Sequence, residues 1–129
     1  MAVSVTFADG TVVQCAKSAF CGTMEHQGMK RKYLEMYFNS EDIALSELKS
    51  IYTNPNLTSC ITTKFINDVG GTEQTSEHVH INMTIPVSLG YNTQTDGTEL
   101  ITMRLAQRSD MELMQERQAA VLEALLGEV

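Results

Sequence analysis

The chain has 129 residues, 43% hydrophobic and 19% charged, enough apolar material for one globular domain with its own core and too much for a disordered chain. A net charge of −7 leaves few cations to displace counterions from phosphates, which argues against nucleic acid and anionic membranes as partners. Three cysteines, Cys15, Cys21 and Cys60, make neither an even disulfide set nor a Cys-x-x-Cys pair, and no apolar run approaches the roughly 18 residues of a spanning helix.

Ala2 to Ala8 alternates, with Val3, Val5 and Phe7 on one face, as a half-buried strand does. Asp9-Gly10 then predicts a hairpin turn, because glycine accepts the positive φ such a turn demands, and Thr11 to Ala16 forms the return strand. Lys17 to Gln27 has no stable period and reads as a loop. Lys30-Arg31-Lys32 is the solvated start of a third strand reaching Phe38, with Leu34, Met36 and Phe38 inward and Tyr33, Glu35 and Tyr37 outward. A short helix follows, from Glu47 to about Thr53, with Ser46 as its N-cap and Asn54-Pro55 as its stop.

Leu57 to Ile66 reads as a fourth strand and Asn67 to Ser76 as a polar turn around Gly70-Gly71. The clearest alternation follows: Val79, Ile81, Met83, Ile85 and Val87 predict the buried face of a fifth strand, and His78, His80, Asn82 and Thr84 its wet face. Pro86 places its end at an edge or bulge. Asn92 to Gly97 is another turn, and the sixth strand buries Ile101, Met103 and Leu105. Ser109-Asp110-Met111-Glu112 is a capping box opening a terminal helix. The expected class is α+β. It has a mostly antiparallel sheet of about six strands closed as a sandwich or partly open barrel, one short helix after the third strand and a C-terminal amphipathic helix. Residues 1–129 read as one domain, with a β-rich body over 1–108 and the helix over 109–127.

The chemistry-bearing residues are sparse. His78 and His80 share a strand face, but without a second tight pair they make half a zinc site, so no metal or cofactor is expected. A cysteine nucleophile, with Cys21 the most exposed candidate, could pair with His26, His78 or His80, yet no local motif marks any cysteine as activated. No nucleophile elbow or phosphate loop is present, and an enzyme is not expected. The sharper feature is the last helix. Met111, Met114, Gln118, Val121 and Leu125 follow the 3-4-3-4 rhythm of a helix–helix seam, with Leu122 and Leu126 widening the stripe. This stripe either packs on its own sheet or docks on a neighbour. The second reading is a binding module whose exposed sheet face holds a ligand through Tyr33, Tyr37, His78 and His80.

Three stretches carry a resemblance. Phe7-Ala8-Asp9-Gly10 opens the chain, Leu45 to Thr63 holds a short helix ahead of a Thr-rich strand, and Met103 to Leu126 runs a Met-Arg-Leu-Ala-Gln-Arg strand into an acidic helix. In this layout the chain resembles small structural proteins from the tail and baseplate region of tailed phages and prophages of Gram-positive gut bacteria. The loop from Lys17 to Gln27 has no counterpart in that layout. The resemblance implies a non-enzymatic structural or accessory protein, partnered by itself or by another phage structural protein. It would be made in the host cytoplasm during assembly, with the virion as its further destination.

Overall fold

The computed structural model describes residues 2–127. Eight strands build two four-stranded antiparallel sheets. One sheet has the order β2-β1-β5-β6, from β1 (Ala2–Thr6), β2 (Val12–Gln14), β5 (Cys60–Val69) and β6 (Thr72–Ile81). The other has the order β3-β4-β8-β7, from β3 (Ala19–His26), β4 (Met29–Asn39), β7 (Ile85–Thr93) and β8 (Glu99–Ala106). Helices α1 (Leu45–Tyr52) and α2 (Pro55–Thr58) connect β4 to β5, and α3 (Asp110–Gly127) follows β8. The class is α+β, and the two sheets face each other across a shared core.

That core is the sum of the inward alternations. Val3, Val5 and Ile61 of one sheet meet Leu34, Met36, Phe38, Ile101, Met103 and Leu105 of the other, all buried, and α1 adds Leu48 and Ile51. The Asp9-Gly10 turn behaves as its residues predict: Gly10 has φ of 90°, and the Asp9 carboxylate accepts the Thr11 N–H at 2.9 Å. Asp96-Gly97 repeats the device, with Thr98 N–H on Asp96 at 2.9 Å.

Several expectations are corrected. The stretch from Lys17 to Gln27 is mostly strand: β3 pairs with β4 along its length and turns back through Gln27-Gly28, both at positive φ. Its alternation is hard to see because it lies at a sheet edge, with Phe20 on its outer face and small residues between. The helix after β4 starts at Leu45, not Glu47, and its N-cap is Ala44 with no side-chain cap, so Ser46 lies inside the first turn. Leu57 belongs to α2, whose N-cap Asn54 accepts from the Asn56 N–H at 3.1 Å. The polar turn shrinks to Gly70-Gly71, because β5 and β6 continue to Val69 and Thr72 in one regular ladder.

The largest correction concerns the expected strand from His78 to Val87. It is two strands in different sheets, divided at Asn82, which adopts the left-handed φ of 57°. Across this division the buried face changes. Met83 and Ile85 are buried as expected, but Val79 and Ile81 are 63% and 55% exposed. The cause is the register with β5, which sets His78 opposite Thr63 and His80 opposite buried Ile61. Residues directly opposite in an antiparallel pair share a face. The histidines therefore point between the sheets, and Val79 and Ile81 point out. Pro86 does sit on an edge strand, and the bulge falls between Pro86 and Ser88.

This inversion is measurable by urea denaturation. Ile61→Ala should cost about 2–5 kcal/mol, as buried aliphatic truncations do, whereas Val79→Ala should stay within about 0.5 kcal/mol. A Val79→Ala loss as large as that of Ile61→Ala would mean that β6 is in the other register.

Candidate functional site

Two places stand out as contact surfaces among the described residues: α3 and a cleft between the sheets. The capping box forms at the start of α3. Ser109 Oγ accepts the Glu112 N–H at 3.2 Å, and Glu112 Oε1 accepts the Ser109 N–H at 2.9 Å. Glu112 also meets Arg31, the middle residue of the cluster expected to be solvated. Arg31 is instead buried, with 5% of its surface exposed. Its Nη1 donates to Glu112 Oε1 at 2.5 Å and to the Gln107 carbonyl at 3.1 Å. Its Nη2 donates to Glu112 Oε2 and Gln27 Oε1, both at 3.1 Å, and its Nε to the His26 carbonyl at 3.1 Å. Every N–H of the guanidinium thus has an acceptor, which is what allows the charge to be buried. The Arg31 hydrogen bond, followed by the Ser109 N–H, draws the Glu112 carboxyl down to about 2. One turn later Arg108 pairs with Glu116 at 2.9 Å.

These anchors take one side of the helix. At about 100° per residue, Met111, Met114, Gln118, Val121, Leu122, Leu125 and Leu126 fall within an arc of roughly 140°, and Glu112, Leu113 and Glu116 lie on the opposite side. The stripe is accordingly free. Met111, Met114, Val121, Leu122, Leu125 and Leu126 are each 58–67% exposed, and α3 buries no residue. Of the two readings of the stripe, packing on its own sheet is not the one seen.

The cleft measures about 590 Å³ and opens between β3 and the β5–β6 pair. Cys21, Leu34, Thr63, Phe65, His78 and His80 line it. His78 packs edge-on against Phe65, with ring centroids 5.8 Å apart, and His80 Nε2 lies 3.1 Å from Thr63 Oγ1. Burial first, then the charges of His78 and Lys32, hold the His80 imidazole below its ordinary value, so it is neutral at pH 7. Among the described residues no three His, Cys, Asp or Glu side chains gather closely enough to hold a metal ion. Cys15 is elsewhere, and burial pushes its thiol up to about 12.

The tyrosines expected beside the histidines are not in this cleft. Tyr33 and Tyr37 lie on the outer face of β4, since Leu34 and Met36 take the inner one. There Arg104 sits 5.0 Å from the centre of the Tyr33 ring and Lys17 4.4 Å from that of Tyr37. Glu35 joins them, accepting from Arg104 Nε at 3.0 Å and from the Tyr37 hydroxyl. That hydrogen bond, aided by burial, pushes the Tyr37 hydroxyl up to about 12. Burial pushes the Glu35 carboxyl up, but Tyr37 and the Arg104 guanidinium outweigh it and leave it lowered. The four residues thus divide between the outer face of one sheet and the inner face of the other and cannot hold one ligand.

Arg31 is the residue that sequence reasoning missed, and a single basic residue between two lysines carries no signal of burial. The edge strand β3 was more accessible: Gln27-Gly28 before an alternating run is itself a turn signal. No helix among the described residues is long and apolar enough to cross a membrane. Comparison with known proteins finds no family model that matches the chain, no curated protein similar to it and no solved structure that matches it.

The Arg31–Glu112 contact gives a signed pH dependence. Because the Glu112 carboxyl is lowered from 4.5 to about 2 in the folded chain, its contribution is complete above pH 4.5 and disappears as pH falls toward about 2. Glu112→Gln should cost about 1.5–3 kcal/mol at pH 7, the range for hydrogen bonds to a charged group, since Arg31 keeps its neutral acceptors. The difference from the parent chain should shrink across that acid window in pH-dependent urea melts. A difference that is constant with pH would show that the carboxylate charge does not hold the helix.

Proposed function

We propose that this chain is a non-enzymatic structural or accessory protein of the tail or baseplate region of a phage or prophage, acting through protein–protein contacts of α3. The resemblance in the strand–turn, mid-chain helix and terminal strand–helix stretches supplies the biological setting. The observation that carries the mode of action is the free stripe: a helix fixed to the body by Glu112 and Glu116 presents its apolar residues outward. An isolated helix of 18 residues is marginal in water, so a partner that covers the stripe also stabilises the helix. The partner is a second copy or another structural protein of the same particle. Gln118, in the middle of the seam, sets register there at some cost in stability.

A second reading rests on the cleft. Its size lies within the range of small-molecule sites, and neutral His80, Thr63 and Cys21 offer a few polar groups in partly apolar walls. On this reading the chain is a small cytoplasmic ligand-binding or regulatory module. The ligand contacts would be His78 and His80, without the tyrosines.

Light scattering separates the two. The parent chain should have a mass above that of the monomer, and Met114→Asp with Leu125→Asp should reduce it to the monomer with the melting temperature of the body preserved. Unfolding of the body by these two substitutions would make the stripe part of the core and remove the basis of the docking reading. A rise in melting temperature with a small-molecule panel, lost in His80→Ala, would favour the cleft instead.

A further inference from the structure

Val3, Val5 and Ile61 make the inner face of one sheet aliphatic, and His78 and His80 break it at the β6 edge. The ladder places them there, with His80 opposite Ile61 and His78 opposite Thr63. Across the cleft, the edge strand β3 offers only Ala19 and Cys21, beside Leu34 of β4. Two small side chains facing two imidazoles leave the space between the sheets unfilled. Phe65, two residues along β5 from Thr63, gives that space an aromatic wall.

The charge that reaches this space is of one sign. His78 and Lys32 act on His80, and no carboxylate does. Lys32 shares the inner side of β4 with Leu34, two residues away. Among the described residues none of these three side chains is in an ion pair. Glu77 is the carboxylate at the rim, and it lies opposite Lys64 on the outer face of the ladder. In a chain of net charge −7, an unpaired ammonium beside two imidazoles is a local field that attracts an anion. No arginine lines the cleft, so the fork that grips phosphate in two places is missing, and Phe65 and Leu34 offer apolar contact instead.

We propose that the cleft binds a small carboxylate on an apolar body, with the carboxylate at His78, His80 and the Thr63 hydroxyl and the body between Phe65 and Leu34. The site deepens the cleft reading, on which it rests, and uses no residue of α3. A carboxylate beside an imidazole favours its charged form, which the protein alone disfavours at His80 through burial, His78 and Lys32. Binding therefore takes up protons. Affinity rises as pH falls through the histidine range, where an ordinary carboxylic acid is still ionised. Cys21 of β3 and Glu77 of β6 are the other titratable groups lining the cleft.

Phenylacetate and its neutral amide, phenylacetamide, titrated into the isotope-labelled chain and followed by amide chemical shifts, test the site. Phenylacetate should shift the amides of residues 61–65 and 78–80. It should bind at least about fivefold more tightly at about pH 5.5 than at about pH 7.5. Phenylacetamide, which has the same shape without the charge, should bind at least about tenfold more weakly at the lower pH. His78→Gln with His80→Gln keeps two hydrogen-bond donors that cannot titrate, and should remove the pH dependence of phenylacetate binding. Equal affinity for the two probes would leave an apolar cleft and overturn the carboxylate site. So would an affinity that is flat between the two pH values, a pH dependence that survives the double substitution, or shifts centred on α3. No shift with either probe would overturn the site and the cleft reading together.

Discussion

One guanidinium decides where the last helix goes. Arg31 leaves the end of β4 near the β3–β4 turn, and its five hydrogen bonds reach the His26 carbonyl, Gln27, the Gln107 carbonyl and both oxygens of Glu112. It therefore ties three parts of the chain together: the β3–β4 hairpin, the end of β8 and the first turn of α3. A buried charge of this kind is held only while its acceptors are in place. Glu112 cannot be in the capping box and on Arg31 unless α3 begins where it does and faces as it does. The outward direction of the Met111–Leu126 stripe is thus set by polar groups on the other side of the helix.

The second constraint is the β5–β6 register. Gly70 and Gly71, at φ of 61° and 81°, close a two-residue turn and so fix every pair from Val69–Thr72 to Cys60–Ile81. The parity of that ladder carries His78 and His80 inward and leaves Val79 and Ile81 outside. The most regular alternation in the chain thus points its aliphatic side to solvent. That surface lies on a different part of the molecule from the α3 stripe.

Much of the fold was legible because half-buried strands write their inner face in period two. Val3 and Val5, Leu34 to Phe38, and Ile101 to Leu105 all fell where alternation placed them, as did the two Asp-Gly turns and the capping box of Ser109 and Glu112. The α3 stripe was legible as an apolar face, because helical spacing survives whether or not anything covers it. What was not legible depends on pairing. Alternation gives the two faces of β6 but not which is inward, since only Ile61 and Thr63 across the ladder decide that. The switch of sheets at Asn82 left the alternating pattern unbroken and was invisible for that reason. The burial of Arg31 needed Glu112, 81 residues away, and no local pattern joins them.

The central proposal is that α3 holds its stripe off the body until a partner covers it, and a second copy is the partner that can be tested with the chain alone. Amide hydrogen exchange over residues 114–125, measured at several protein concentrations, addresses it most directly. The account predicts fast exchange in dilute solution, where an exposed helix opens readily, and slow exchange at high concentration, with β8 amides unchanged throughout. Slow exchange in α3 at every concentration would contradict it, because the helix would then be protected by its own sheet.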